Sequence, residues 1–141
     1  MDSQPISTHR ESGMENPVIH VEVLGRDGDA LRRFYAEAFG WQFDPPSAHA
    51  LGAMDYRIVF PREGEVGVPV GVGGNRPDDV QADAIFYVCV NDLEGAVDRV
   101  QRLGGSVVRG PARAPTGGVR VAVVRDPEQH LFGLVDRASL P

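Results

Sequence analysis

Lysine is absent: all 14 basic residues of the sequence are arginine. That excludes Schiff-base chemistry, a lysine general base and a lysine-bearing phosphate loop. Cysteine occurs once, as Cys89, so no disulfide can close within the chain and a cysteine-rich zinc site is excluded. Cytoplasmic residence is the natural expectation. No apolar run reaches the ~18 residues of a membrane span. Met1 to Asn16 is polar and lacks the apolar stretch of ~7–15 residues that a secretory signal needs. It reads as a disordered leader, with Met14 as an alternative start. Positive charge is in deficit too: 20 acidic residues against 14 basic ones give a net charge of −6. That balance argues against a phosphate-binding surface and so against nucleic acid. It suits a neutral or cationic ligand.

The 141 residues, 42% hydrophobic and 24% charged, are enough for one compact domain or two small modules sharing a core. Structure begins at Pro17. Val18 to Val23 alternates strictly and reads as a strand. Its Ile19, Val21 and Val23 should meet a helix, while Val18, His20 and Glu22 should face a cleft or solvent. Asp27 or Asp29 caps a helix running to Phe39, with Leu31, Phe34, Tyr35 and Ala38 as its buried stripe and Gly40 as its left-handed stop. Trp41 to Phe43 reads as a short strand, with Trp41 in the core. Tyr56 to Phe60 is the next strand, and Val66 to Val72 a weaker one. Gly73 to Asp79 is a linker.

The pattern then restarts. Ala84 to Val90 is a strand, and Asn91 with Glu94 forms a capping box for a helix ended by Gly104-Gly105. Ser106 to Arg109 is a strand, Gly110 to Gly118 a Pro/Gly-rich loop and candidate lid, and Val119 to Arg125 and Leu131 to Asp136 are the last strands. The order β-α-β-β-β thus occurs twice, in modules over residues 17–79 and 80–141, about 65 residues apart. The fold class is α+β: two βαβββ modules forming a curved mixed sheet around a cleft. Pairing of the modules, within a chain or across a dimer, would bury the sheet edges each leaves open.

Three groups of residues match a known pattern. Ile19-His20-Val21 is followed, fourteen residues after the histidine, by Phe34-Tyr35 and then Phe39-Gly40-Trp41. Val88 to Ala96 is followed by Leu103-Gly104-Gly105, and Arg125-Asp126-Pro127 leads into Leu131-Phe132-Gly133-Leu134. Over residues 17–136 the chain resembles the vicinal oxygen chelate superfamily, which includes glyoxalase I, bleomycin-resistance proteins and extradiol dioxygenases. It looks most like bacterial proteins described as related to lactoylglutathione lyase. The resemblance implies a divalent ion held by one side chain on the first and one on the last strand of each module, acting as a Lewis acid. Of those four positions only His20 carries a ligand. The others fall near Pro69 to Gly71, at Ile85 and at Gly133, while Glu63 and Glu65 lie in the preceding turn. Transition-metal catalysis usually needs about three protein ligands, so no metal and no cofactor is expected. A rearranged site drawing on His9, His49 or His130 has no spacing to support it.

Strand parity supplies a candidate pocket. His20 and Glu22 share a face, with Cα atoms ~6–7 Å apart, close enough for a water-bridged contact. They are the candidate acid–base pair. Ile85, Tyr87, Cys89 and Gly133 take the matching face in the second module, and Tyr56, Arg57 and Arg120 are further ligand-contact candidates. Three functions remain. The chain is a lyase or isomerase moving a proton through His20 and Glu22, a binder that sequesters a drug or metabolite, or a metal-dependent lyase or dioxygenase with a rearranged site. The expected partners are a small organic molecule and a second copy in a homodimer, with no membrane and no nucleic acid.

Overall fold

A computed structural model of the chain describes residues 13, 15–46, 55–74, 76, 78, 84–113 and 118–141. Most of the expected leader, including Met14, lies outside the described residues, as do His9 and His49. Seven strands and two helices follow in order: β1 (Val18–Leu24), α1 (Gly28–Phe39), β2 (Tyr56–Val59), β3 (Val70–Gly73), β4 (Ala84–Val90), α2 (Leu93–Arg102), β5 (Ser106–Arg113), β6 (Arg120–Arg125) and β7 (Leu131–Asp136). All seven strands form one mixed sheet in the order β2-β3-β1-β4-β7-β6-β5. β1 and β4, the first strands of the two repeats, pair antiparallel at its centre, while each pairs parallel with the last strand of its own repeat. The two repeats therefore join edge to edge within one chain.

Register carries each face across the whole sheet. One face holds the rows Ile58–Gly71–Glu22–Ile85 and His20–Tyr87–Gly133–Val123. Its apolar side chains, Leu24, Tyr56, Ile85, Tyr87, Val123 and Leu131, form one buried cluster. Val72, Val23, Phe86, Val88 and Leu134 follow the other face, which carries the helices. There α2 packs Leu93, Ala96 and Val97 against Ala122, Val124 and Leu134.

Several local expectations change. Trp41 to Phe43 is not a sheet strand; it runs beside β2 with one backbone bond, Asp44 N–H to Ile58 O at 2.8 Å. β5 continues to Arg113, so the first half of the expected lid loop is strand paired with β6, and residues 114–117 lie outside the described residues. Asp92, not Asn91, caps α2: its carboxylate accepts from Gly95 N–H at 3.1 Å. Asn91 instead accepts from Arg137 Nε at 2.8 Å.

Helix α1 differs most. Asp27 caps it and Gly40 ends it as expected, but its buried line is Gly28 and Arg32. Phe34, assigned to the stripe, is 60% exposed, and Ala38 is exposed as well. Arg32 is 6% exposed. Its guanidinium donates to Val72 O at 2.9 Å, to Asp29 at 2.8 Å and to Asp55 at 2.7 Å. A buried charge with all three acceptors in place outcompetes the apolar periodicity, because only this rotation of the helix gives the arginine its partners.

Arg32→Ala leaves the Val72 carbonyl short of a donor in the core and unpairs two carboxylates that can rehydrate. We expect a loss of about 2–3 kcal/mol in urea unfolding. Arg33→Ala, one residue on and exposed, should stay within about 0.5 kcal/mol of the parent.

Candidate functional site

The strand face opposite the helices carries a chain of polar groups at the joint between the repeats. His20 and Glu22 sit on β1, Tyr56 on β2 and Tyr87 on β4. Glu22 is 1% exposed. The Tyr56 hydroxyl donates to its Oε2 at 3.1 Å and the Tyr87 hydroxyl to its Oε1 at 3.0 Å. On its other side the Tyr56 hydroxyl lies 2.6 Å from His20 Nε2. The expected water between His20 and Glu22 is thus replaced by a tyrosine hydroxyl. The His20 ring also meets Tyr87 edge-on, with centroids 5.7 Å apart.

Donor directions follow from electrostatics. Burial, reinforced by the Glu22 charge, raises the pKa of both tyrosines well above the ordinary phenol range. Both therefore stay phenols and spend their protons on Glu22. A phenol that donates to Glu22 can only accept from His20, so Nε2 carries the proton of that contact. His20 is half-buried, the most exposed of the four residues, and so forms the outer end of the relay.

Two glycines seat the tyrosines. A Cβ on Gly71 would overlap the Tyr56 hydroxyl, and one on Gly133 would overlap the Tyr87 ring. Gly133 is a last-strand position that the family resemblance assigns to a metal ligand, and Gly71 lies in the stretch Pro69 to Gly71 where the other falls. Tyrosine rings fill that space instead, and Ile85 beside Glu22 has no donor. Among the described residues no group of three His, Cys, Asp or Glu could hold a metal. The donors of the His20–Glu22 pair are also engaged with the tyrosines. The residues present do not fit the four-ligand ion.

The structure brings together His20, Glu22, Tyr56, Tyr87, Ile85 and Gly133. Cys89 lies on the same face of β4, buried beside Val135, with no place in the relay. Arg57 and Arg120 are corrections. Arg57 alternates with Tyr56 and points to the helix face, opposite Val72. Arg120 also faces the helices, where it holds Glu94 of α2 and Asp136. The parity of Val121 and Val123, both on the relay face, was the signal that excluded it. The seat of Tyr56 at Gly71 carries no signal in the sequence, because a glycine in a weak strand shows no periodicity.

The glyoxalase-like domain family matches residues 20–135. This chain belongs to that family. A glyoxylase-like domain-containing protein of Didymella fabae is 27% identical to it over 85 residues, covering 60% of this chain and 66% of that protein. Lactoylglutathione lyase of Arabidopsis thaliana is 24% identical over 141 aligned positions, covering 87% of this chain and 45% of the plant enzyme. The glyoxalase-like chain thus spans less than two thirds of either relative. Methylmalonyl-CoA epimerase of Streptomyces coelicolor superposes with a TM-score of 0.67 at 16% identity, covering 89% of this chain and 96% of that one. The enzyme of Mycobacterium tuberculosis gives 0.65 at 15% identity, covering 89% and 93%. At such identities the likeness is one of fold, that of the vicinal oxygen chelate proteins.

The relay tyrosines give the glyoxalase-like chain an alkaline signature. Their folded pKa values lie above the unfolded ones, so their contribution to stability is complete below the ordinary phenol pKa and is lost as pH rises past it. With no lysine titrating in that range, the two tyrosines should lower unfolding free energy by roughly 2.7 kcal/mol per pH unit above about pH 10. Tyrosinate absorbance should show two of the three tyrosines ionising only as the protein unfolds. Ionisation of all three in the folded state would contradict the relay.

Proposed function

We propose that this chain binds a small organic molecule at His20 and moves a proton on or off it, as a lyase or isomerase of the glyoxalase-like family. The observation that carries the proposal is the position of the Tyr56 hydroxyl, 2.6 Å from His20 Nε2 and 3.1 Å from Glu22 Oε2. The His20 imidazole accepts a proton from a carbon acid, and Tyr56, itself held by the buried Glu22 carboxylate, fixes the orientation of the ring. His20 is the catalytic residue; Tyr56 and Glu22 are positioning residues. The relatives named lactoylglutathione lyase and methylmalonyl-CoA epimerase carry acyl thioesters in their names, which makes that class the first to try. We place the protein in the cytoplasm. No helix among the described residues is long and apolar enough to cross a membrane.

The test is deuterium uptake at the carbon beside the carbonyl, followed by NMR in heavy water with a panel of acyl thioesters and chelator present. Exchange by the wild type should fall at least about 100-fold in His20→Ala, with binding by calorimetry changed less than about threefold. Undiminished exchange in His20→Ala overturns the acid–base role. Binding with no exchange in the wild type overturns catalysis and leaves the alternative function of a sequestering binder, in the manner of bleomycin-resistance proteins, for which the net charge of −6 suits a cationic ligand. Exchange that appears only without chelator supports the metal-dependent alternative.

We also propose a homodimer. Phe86 is 43% exposed on the helix face and stacks on Phe132 at 5.5 Å and 15°, an aromatic pair that a partner surface would cover. Sedimentation should give dimers for the wild type and monomers for Phe86→Glu; a monomeric wild type overturns the proposal.

A further inference from the structure

The helix face holds a recess, separated from the relay by the thickness of the sheet. It is an open groove of about 400 Å³ between α1 and β2, with Trp41, Phe43 and Ala36 as apolar walls and Arg33 and Arg57 as its cations. Asp29 and Arg32 line it as well.

Its shape follows from the displaced segment after α1. Because Trp41 to Phe43 runs beside β2 without joining the sheet, its aromatic rings stand up as a wall. Trp41 stacks on Tyr35 of α1 at 5.2 Å and 12°, and meets Phe43 edge-on at 6.3 Å and 66°. Such a wall is already ordered, so a flat ligand laid against it loses little to side-chain ordering.

The charges in the groove are unequal. Arg32 is committed to Asp29, Asp55 and the Val72 carbonyl. Arg33 and Arg57 form no ion pair among the described residues. Three guanidinium groups therefore face one carboxylate, on a chain whose net charge is −6. Two uncommitted guanidinium groups beside an indole and a phenyl ring match an oxyanion borne on a planar apolar body.

We propose that this groove is a second binding site, for a small aromatic oxyanion of the carboxylate or phosphate class, with Arg33 and Arg57 holding the anion and Trp41 and Phe43 the ring. It is independent of the proton relay: Arg57 and Tyr56 are neighbours on β2 that point to opposite faces.

Trp41 is the only tryptophan, so its single indole N–H resonance reports on the groove directly. The experiment titrates the full chain with 2-naphthoate, naphthyl phosphate, 2-naphthalenemethanol and inorganic phosphate in separate arms. Saturable movement of the indole signal is expected with naphthoate or naphthyl phosphate; the tighter of the two names the anion. At least a tenfold weakening is expected in Arg33→Gln and in Arg57→Gln. Arg62→Gln, at an exposed arginine away from the groove, should bind as the wild type. Thermal unfolding confirms that each variant is folded. Equal binding of the neutral alcohol, full saturation by inorganic phosphate alone, or arginine variants that bind as the wild type would each overturn the proposal.

Discussion

The carboxylate of Glu22 is the constraint around which the relay face is organised. It lies at the centre of a seven-stranded sheet, on the strand where the two repeats join, and is almost sealed from water. Removing a carboxylate from water costs several kcal/mol unless its oxygens are met by donors. Here one oxygen is met by a tyrosine from the first repeat and the other by a tyrosine from the second. The acid therefore couples the halves: Tyr56 reaches it across β3 within the first repeat, and Tyr87 reaches it only when β1 and β4 are paired in the observed register. The two glycine seats are part of the same requirement, since a side chain at Gly71 or Gly133 would push a phenol away from its oxygen.

That arrangement also decides what the site can do. A carboxylate capped by two phenols is a poor open ligand and a good remote base. Among the described residues Tyr56 is the hydroxyl that links it to His20, the most exposed member of the group. Where the family resemblance implies four donors around an ion, this face of the sheet carries His20, the buried Glu22 and two tyrosine rings. The same glycines that remove ligands admit the tyrosines.

Much of this was legible in the sequence. Alternation in β1 and β4 put His20, Glu22, Ile85 and Tyr87 on one face because a strand's period of two leaves no other choice. The repeat predicted that the first strands would sit in equivalent places. What was not legible came from contacts between distant elements. Tyr56 was a candidate, but which way its strand faced depended on β3, whose glycines carry no periodic signal. The α1 stripe failed because apolar spacing cannot see Asp55 and Val72, the partners that draw Arg32 inward. Asn91 and Asp92 are both good caps, and only the backbone angles at Asp92 separate them.

The asymmetry between the repeats is where sequence duplication and structure part company. The second repeat keeps all four strands, and α2 buries an apolar line against them. In the first, the segment after α1 leaves the sheet, and α1 is held by an arginine rather than by its phenylalanines. A helix anchored by one charged side chain leaves more of its flank uncovered than one anchored by a leucine stripe. On that flank, Ala36 and Arg33 look across to Arg57 and the displaced Trp41. The groove is thus the geometric consequence of anchoring through Arg32. The interaction that fixes α1 also consumes the local acids, Asp29 and Asp55, that would otherwise neutralise its neighbours.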